Sequence, residues 1–253
     1  KRTHMELGGK APVIVFDDAD LGAVVSGLRA FSFYNAGQDC TAACRVYAGG
    51  KVYEKLVADL TGAASSLVVG AQEAPGVEMG PLITGEHRDK VQGYVAGAEG
   101  EGATLVVDGR TDAPTEGFFL KPSLIDHVKP GMRCYEDEIF GPVLTVTRVH
   151  GYDDGLALIN ANQFGNGTAI FTRDGGAARQ FEYDVQVGMV GVNVPVPVPV
   201  SYYSFGGWKA SLFGDTHIYG PEGVNFYTRT KVVTKRWPDP RSSKVDLGFP
   251  QNR

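Results

Sequence analysis

Short apolar runs alternate along this chain with segments in which apolar residues recur at helical spacing. Residues 11–16 form a continuous apolar run typical of a buried strand. The carboxylates of Asp17, Asp18 and Asp20 can cap a helix that runs from about Leu21 to Tyr34. By the same signals, further strands are predicted at 45–48, 104–107, 118–124, 143–149, 168–172 and 188–194, and further helices at 51–67, 86–98, 153–162 and 177–183. This rhythm predicts an α/β fold with a mostly parallel sheet.

Two segments depart from the rhythm. Residues 195–200 alternate Pro and Val, and proline has no N–H for a sheet, so an extended lining segment is expected. Residues 227–237 alternate and are β-branched, which predicts a strand that adds to the sheet of another subunit. From Pro238 onward the pattern is irregular.

Composition narrows the class of protein. The 253 residues are 43% hydrophobic and 21% charged, as in an ordinary globular chain, and the net charge of −5 is dispersed. Neither a nucleic-acid partner nor a membrane partner is expected, because no basic patch, apolar span or signal peptide is visible. Three cysteines argue against a disulfide scaffold and favour a reducing, cytoplasmic location. The chain opens Lys1-Arg2 with no initiator Met, so we expect part of a longer polypeptide.

Cys40 is the candidate nucleophile. Gly37 permits a tight turn before it, and a helical turn is predicted at 41–44. A thiol at a helix N-terminus has a lowered pKa, and the Cys40 N–H could donate to an oxyanion. The alternative is a buried structural cysteine, the commoner fate of a free thiol. Cys44 is interpreted as packing, and Cys134 has no motif around it.

Two carboxylates and one ring stand beside glycines. Glu6 lies just before Gly8-Gly9 and could be a general base, or a solvated surface residue. Glu138 lies in an acidic loop that could equally be solvated. Phe140, beside Gly141-Pro142, could lie against a planar cofactor or in the core. The five histidines lack metal-ligand spacing, so no metal site is predicted.

These segments together resemble the catalytic, C-terminal half of the aldehyde dehydrogenase superfamily. The resemblance rests on Glu-Leu-Gly-Gly-Lys, Gly-Gln-x-Cys, Glu-Ile-Phe-Gly-Pro and Ser-Phe-Gly-Gly-x-Lys, in that order. It implies an aldehyde dehydrogenase catalytic domain over residues 1–225 and an oligomerisation strand with a tail over 226–253, with the nucleotide-binding domain largely absent. It implies a homo-oligomer, dimer or tetramer, and a nucleotide-binding half as a partner.

The resemblance also implies roles for single residues. Cys40 would be the nucleophile and Glu6 the general base. The implied cofactor contacts are Glu138 on the nicotinamide ribose, Phe140 near the ring, Leu7 and Gly8. The implied substrate pocket contains Gln38, Asp39, Asn193 and Phe205. NAD is the implied cofactor, with NADP as the alternative.

The resemblance is not uniform along the chain. Residues 1–48 look closest to gamma-aminobutyraldehyde dehydrogenases, and the sequence from about 67 onward to methylmalonate-semialdehyde dehydrogenases. A natural recombinant and an engineered chimera both fit this mosaic. The second branch resolves its thioester with coenzyme A and lacks the glutamate that is present here as Glu6. Release by water and release by CoA therefore both stay open.

Three hypotheses follow from the sequence. The first is the catalytic half of an NAD-dependent aldehyde dehydrogenase, which oxidises a small aldehyde or semialdehyde through a Cys40 thioester. The second is a cofactor-free thiol esterase that uses Cys40 and Glu6. The third is a non-catalytic assembly module or inactive fragment whose strand at 227–237 pairs with a partner chain.

Overall fold

A computed structural model of the chain describes residues 1–237 and 241. The strands of this part are β1 (His4–Glu6), β2 (Pro12–Val15), β3 (Arg45–Ala48), β4 (Thr104–Val107), β5 (Ser123–Asp126), β6 (Val143–Arg148), β7 (Phe164–Gly165), β8 (Gly167–Phe171), β9 (Met189–Val192), β10 (Trp208–Lys209) and β11 (Leu212–Gly214). The helices are α1 (Leu21–Phe33), α2 (Tyr53–Ser65), α3 (Gly85–Ala98), α4 (Arg133–Glu136), α5 (Tyr152–Ala161), α6 (Gly175–Asp184) and α7 (Gly220–Tyr227).

A seven-stranded sheet with strand order β4-β5-β6-β3-β2-β8-β9 forms the centre of the fold. Every neighbouring pair is parallel except β4 with β5. All residues of β2 and β3 are buried, as expected for strands covered on both faces. The predicted α/β class with a mostly parallel sheet is confirmed.

The first crossover forms as its sequence predicts. The Asp20 carboxylate accepts a hydrogen bond from Ala23 N at 3.2 Å and so caps α1. The buried face of α1 presents Val24 and Leu28 to the sheet, and both are fully buried. This helix returns the chain to the amino end of β3, which lies beside β2.

Two short antiparallel ribbons were not predicted. β1 pairs with β11, with Glu6 opposite Leu212, and β7 pairs with β10. Each ribbon joins segments that are distant in the chain, so a local pattern does not announce it. The first ribbon brings the amino-terminal residues to the loop around residue 211, where Leu7 N donates to Ser211 O at 2.9 Å.

Two predicted strands differ from the structure. The strand expected at 118–124 begins only at Ser123. In the segment 227–237, Tyr227 ends α7 and residues 228–237 form neither helix nor strand. A strand is stable only when a neighbour completes its hydrogen bonds, and no described residue of this chain does so for 228–237. The strand therefore does not form in the chain by itself, and its pairing with another subunit stays a prediction. The tail expected from Pro238 lies outside the described residues apart from Arg241.

α7 runs through the domain boundary placed between residues 225 and 226, and that division stays a prediction. Within the described part of the chain, no helix is long and apolar enough to cross a membrane.

Candidate active site

The candidate residues lie in loops that lead into the central strands. Gly8 and Gly9 precede β2, Cys40 precedes β3, Glu138 precedes β6 and Asn166 precedes β8. These strands are mutually parallel neighbours in the order β6-β3-β2-β8, so the loops meet at the amino edge of the sheet. Cys40, Glu138, Phe140 and Gly9 also line one cavity.

A left-handed turn fixes the loop that carries Cys40. Asn35 and Ala36 have φ of 50° and 54°, and Gly37 has φ of 70°. Asn35 Nδ2 donates to Gln38 O at 2.8 Å, and Gln38 Nε2 donates back to Asn35 O at 3.0 Å. A Cβ on Gly37 would lie 2.1 Å from Gly141 O, so only glycine lets this turn touch the loop that carries Glu138.

Cys40 does not begin a helix, which corrects the prediction of a helical turn at 41–44. The Asp39 carboxylate accepts from both Thr41 N and Thr41 Oγ1 at 2.6 Å, and this local bond satisfies the backbone without a helix. The expected lowering of the thiol pKa by a helix terminus is therefore absent. Instead, burial raises the pKa of Cys40, and the charges of Asp39 and Glu6 raise it further, while a hydrogen bond from Asn166 opposes them.

Asn166 is a site residue that the sequence reasoning did not single out. Its Nδ2 donates to Cys40 O at 3.1 Å, and its Oδ1 is buried without a hydrogen-bond partner in the described structure. A Cβ on Gly207 would come within 3.1 Å of that Oδ1. The available signal was an asparagine between two glycines immediately before a strand.

Glu138 is held against the glycine pair. Its Oε1 accepts from Gly9 N at 2.8 Å, and no described residue donates to its Oε2. Burial raises the pKa of Glu138, and the Gly9 N–H and the charges of Lys10 and Lys90 oppose that rise. A Cβ on Gly9 would lie 2.1 Å from Cys40 O, so this close approach of two loops requires glycine.

Arg45 is a buried cation beside the segment that follows Gly9. Arg45 is 1% exposed, and its Nε donates to Lys10 O at 2.8 Å. Its Nη1 donates to the Tyr47 hydroxyl at 3.1 Å, and that hydroxyl lies 2.8 Å from the hydroxyl of Tyr135. These successive hydrogen bonds connect the segment after Gly9 with the loop that leads to Glu138. Burial lowers the pKa of the neighbouring Lys10.

Glu6 ends β1, and its carboxylate is paired with a histidine. His4 Nε2 lies 2.8 Å from Glu6 Oε1. Glu6 is also among the charges that raise the pKa of Cys40.

The ring of Phe140 is partly open. Phe140 has φ of 57° and is 39% exposed, and its carbonyl accepts from His87 Nε2 at 2.6 Å. Leu7 is 45% exposed and Gly8 lies between Phe164 and Glu138. A Cβ on Gly8 would lie 3.2 Å from Glu138 Oε2, and Phe140 lines the same cavity as Glu138.

Of the four residues expected in the substrate pocket, two lie beside Cys40. Gln38 and Asp39 precede it, but their side chains hold the loop: Gln38 Oε1 accepts from Ile83 N at 3.0 Å, and Asp39 binds Thr41. Phe205 packs against Tyr219, with ring centroids 5.1 Å apart, two residues from the glycine that covers Asn166.

Asn193 is not brought to Cys40. It follows the carboxyl end of β9, whereas Cys40 precedes the amino end of β3. Both ends of its amide bind the Thr172 backbone at 3.0 Å.

Of the remaining cysteines, Cys44 lines the same cavity as Cys40, whereas Cys134 does not. Burial raises the pKa of Cys44, whose thiol donates to Ala11 O at 3.7 Å, and burial also raises the pKa of Cys134. No group of three metal-ligating side chains is found among the residues described.

Known proteins resemble this chain in sequence and in fold. The family model described as "Aldehyde dehydrogenase family" matches residues 1–233. A malonate-semialdehyde dehydrogenase of Pseudomonas aeruginosa is 48% identical over 99% of this chain and 51% of its own length. The chain thus spans about half the length of the curated relatives it matches.

Solved structures give the same coverage. The methylmalonate-semialdehyde dehydrogenase of Oceanimonas doudoroffii is 50% identical with a TM-score of 0.91, over 94% of this chain and 50% of that one. A putative methylmalonate-semialdehyde dehydrogenase of Sinorhizobium meliloti, solved with NAD, is 40% identical with a TM-score of 0.91, over 94% of this chain and 50% of that one. The likeness of residues 1–48 to a different branch stays a prediction.

Proposed function

The chain belongs to the aldehyde dehydrogenase family, and on that premise we propose that it is the catalytic half of an NAD-dependent enzyme that oxidises a small semialdehyde. The observation that carries the proposal is the meeting of Cys40, Asn166 and Glu138 at one edge of the sheet, with the charge of Glu6 acting on the thiol. The semialdehyde is proposed because the relatives at 48% and 50% identity are named for such substrates.

The residues present fit the nicotinamide end of the cofactor. Glu138 Oε2 is free to accept from a sugar hydroxyl, and the exposed Phe140 ring offers a flat apolar face beside it. Gly8 leaves the approach to Glu138 open, since a Cβ there would lie 3.2 Å from Glu138 Oε2. When bound, the nicotinamide accepts the hydride that leaves the aldehyde carbon. NADP is the alternative to NAD, because a family neighbour is NADP-dependent.

Cys40 performs the first step in this proposal. Its thiolate forms a bond to the aldehyde carbon, and the carbonyl electron pair moves to oxygen. The Cys40 N–H makes no hydrogen bond to another described residue and is the donor available for that oxyanion. Loss of hydride then leaves a thioester on Cys40.

Glu6 governs release. It takes a proton from water, the oxygen bonds to the thioester carbon, and the carbon–sulfur bond breaks to return the Cys40 thiolate. A CoA thiol in place of water would give an acyl-CoA product instead. Because a carboxylate at position 6 favours water activation, we propose hydrolysis as the main route of this chain.

A second activity is supported by the chain's own residues. Cys40 and Glu6 need no cofactor to cleave an activated ester, since the same thioester forms and is hydrolysed. Turnover of a nitrophenyl ester that depends on Cys40 is therefore expected from the 253-residue chain.

The test combines labelling with NADH absorbance. Iodoacetamide should label Cys40 in the purified chain, and peptide mass analysis would locate the label. NADH formation is then followed with NAD and malonate semialdehyde, with and without CoA, after addition of the half of the Oceanimonas doudoroffii enzyme that this chain does not cover. A CoA requirement would replace the hydrolytic route by acylation.

Matched variants decide the assignment. Cys40→Ala should abolish labelling, ester turnover and any NADH formation. Cys44→Ala keeps a thiol at position 40 and should retain them. Labelling at Cys44 or Cys134, or ester turnover that survives Cys40→Ala, would overturn the proposal.

A further inference from the structure

The imidazole of His4 lies between two oxygen atoms. Its Nδ1 is 2.6 Å from Thr216 O and its Nε2 is 2.8 Å from Glu6 Oε1. The His4 side chain is only 8% exposed, while that of Glu6 is 27% exposed. The candidate base therefore contacts a nearly buried histidine.

The protons in this bridge can be counted. A backbone carbonyl and an ionised carboxylate only accept hydrogen bonds, and a neutral imidazole has a single N–H. Two bonds from one ring to two acceptors need two hydrogens. With the Glu6 carboxylate ionised, as a general base must be, both hydrogens belong on the His4 ring.

We propose that His4 is a positioning residue for Glu6, which it holds as an imidazolium–carboxylate pair until the thioester is released. The inference rests on the proposed function, in which Glu6 activates water. Beyond that function, it specifies where the Glu6 carboxylate rests before release and names His4 as the residue that holds it there.

The pair acts on both halves of the reaction. The charge of Glu6 raises the pKa of Cys40, so a positive ring against that carboxylate offsets the rise and favours the thiolate needed for acylation. Deacylation has the opposite need, because a carboxylate whose Oε1 is bound to a positive ring takes a proton from water less readily. His4 thus favours the first step and restrains the second.

The surroundings keep the ring in place. His4 pairs with Gly214 across the β1–β11 ribbon, and a Cβ on that glycine would lie 2.5 Å from Thr3 O. The ring lines a cavity shared with His217 and with Gly223 and Phe226 of α7.

The charged groups around His4 are these. Glu6 faces it from the same strand, and His217 faces it across the cavity. Glu222 on α7 accepts from His217 N at 2.9 Å, and Arg2 donates to the Asn225 and Phe226 carbonyls. Glu6 is the only one of these with a direct contact to the His4 ring in the described structure.

The first test counts the protons directly. Nitrogen-15 NMR of the His4 ring in the intact chain at about pH 7.5, where a free histidine is mostly neutral, should show a proton on both nitrogens. Glu6→Gln removes the charge and supplies an amide N–H that can donate to His4 Nε2, so the ring should then carry one proton, on Nδ1. A singly protonated His4 ring in the unsubstituted chain would overturn the inference.

The second test separates the two steps. In His4→Gln, alkylation of Cys40 by iodoacetamide should slow about two- to fivefold, and decay of the acetyl-enzyme formed from nitrophenyl acetate should speed up by a similar factor. A merely structural role would slow both. His127→Gln is the matched control, since His127 also lies beside a carboxylate, at 3.3 Å from Asp126, away from the site.

Failure of this inference and failure of the proposed function look different. Ester turnover that persists in Cys40→Ala would contradict the proposed function. Ester turnover that depends on Cys40, with unchanged alkylation and deacylation rates in His4→Gln, would contradict the role of His4 alone.

Discussion

Cys40 ionises less readily in this fold than a free cysteine would. Burial is the largest cause, and the adjacent Asp39 charge is the next. The nucleophile thus depends on its neighbours and on bound ligands to become a thiolate, rather than on a helix terminus.

Removal of the Asp39 charge should make the thiol easier to ionise. Asp39→Asn retains an oxygen that can accept from Thr41 N, so the loop should persist. Because the negative charge raises the pKa of Cys40, its loss should lower that pKa and move the pH profile of alkylation to lower pH. The rate well below the thiol pKa should rise severalfold. Iodoacetamide kinetics against pH would measure this.

The control for this prediction is Asp112→Asn. Asp112 is a left-handed residue that tolerates asparagine, and no contact to Cys40 is present. A profile unchanged in Asp39→Asn, or shifted equally in Asp112→Asn, would contradict the prediction.

Glu138 illustrates a stability cost at a site residue. Burial raises the pKa of this carboxyl in the folded chain, so ionisation opposes folding above that pKa, and the penalty is relieved as the pH falls through it. Glu138→Gln should therefore raise the free energy of unfolding at about pH 7.5, and the gain should shrink towards about pH 4.5. Urea unfolding at the two pH values measures both.

The same substitution separates stability from cofactor binding. A neutral amide at position 138 should weaken nicotinamide cofactor binding in any assembly that binds it, while the chain itself becomes more stable. A variant that is less stable at about pH 7.5 would show that the charge of Glu138 stabilises the fold.

At the scale of elements, glycine has opposite effects in loops and in helices. Gly9→Ala places a Cβ 2.1 Å from Cys40 O and should cost at least about 2 kcal/mol of unfolding free energy. Gly62→Ala in α2 meets nothing within 4 Å and should gain about 1 kcal/mol from helix propensity. Urea unfolding compares them, and a stable Gly9→Ala chain that retains Cys40 labelling would refute the loop contact.

Helices and strands were predictable where their buried apolar residues follow a pattern within a short stretch of sequence. α1 and β2 follow from a capping aspartate and an apolar run, and both formed as expected. The turn at 41–44 was mispredicted because Asp39 bonds to Thr41 without a helix. The β1–β11 ribbon was missed because its partners are some 200 residues apart and too short to carry a periodic pattern.

The sequence allowed the residues of the candidate site to be identified, but not the contacts between them. Cys40, Glu6 and Glu138 were identified from motifs and their resemblance, and their roles stay predictions. Asn166 and His4 were not singled out, because their contacts depend on loops that meet only in the folded sheet.

At the scale of the whole molecule, the chain is about half of its relatives. It covers 50% of the Oceanimonas doudoroffii enzyme. We predict that the chain alone forms little NADH, and that NADH formation rises at least tenfold when the half of that relative not covered by this chain is added. NADH absorbance measures the gain. The control is the same mixture with Cys40→Ala, and strong NADH formation by the unmixed chain would contradict the prediction.

Residues 227–237 remain the proposed oligomerisation segment. Val232 and Trp237 are 86% and 87% exposed, and residues of a partner's sheet would satisfy their backbone. Light scattering should show a dimer or larger assembly, and a chain shortened after Tyr227 should shift to monomer. A monomer for the intact chain at all concentrations would refute this.

Because the candidate site residues lie at the amino edge of the sheet, new chain termini could be introduced at the opposite edge. At the opposite edge, β6 is followed by α5 near Gly151, and β8 is followed by α6 near Asp174. No residue assigned to catalysis lies at this edge. A circular permutant opened there would cut none of the four loops that meet around Cys40. The covalent order of the chain and the chemistry of its site are in this sense separable, and new termini or inserted domains belong on the far side of the sheet.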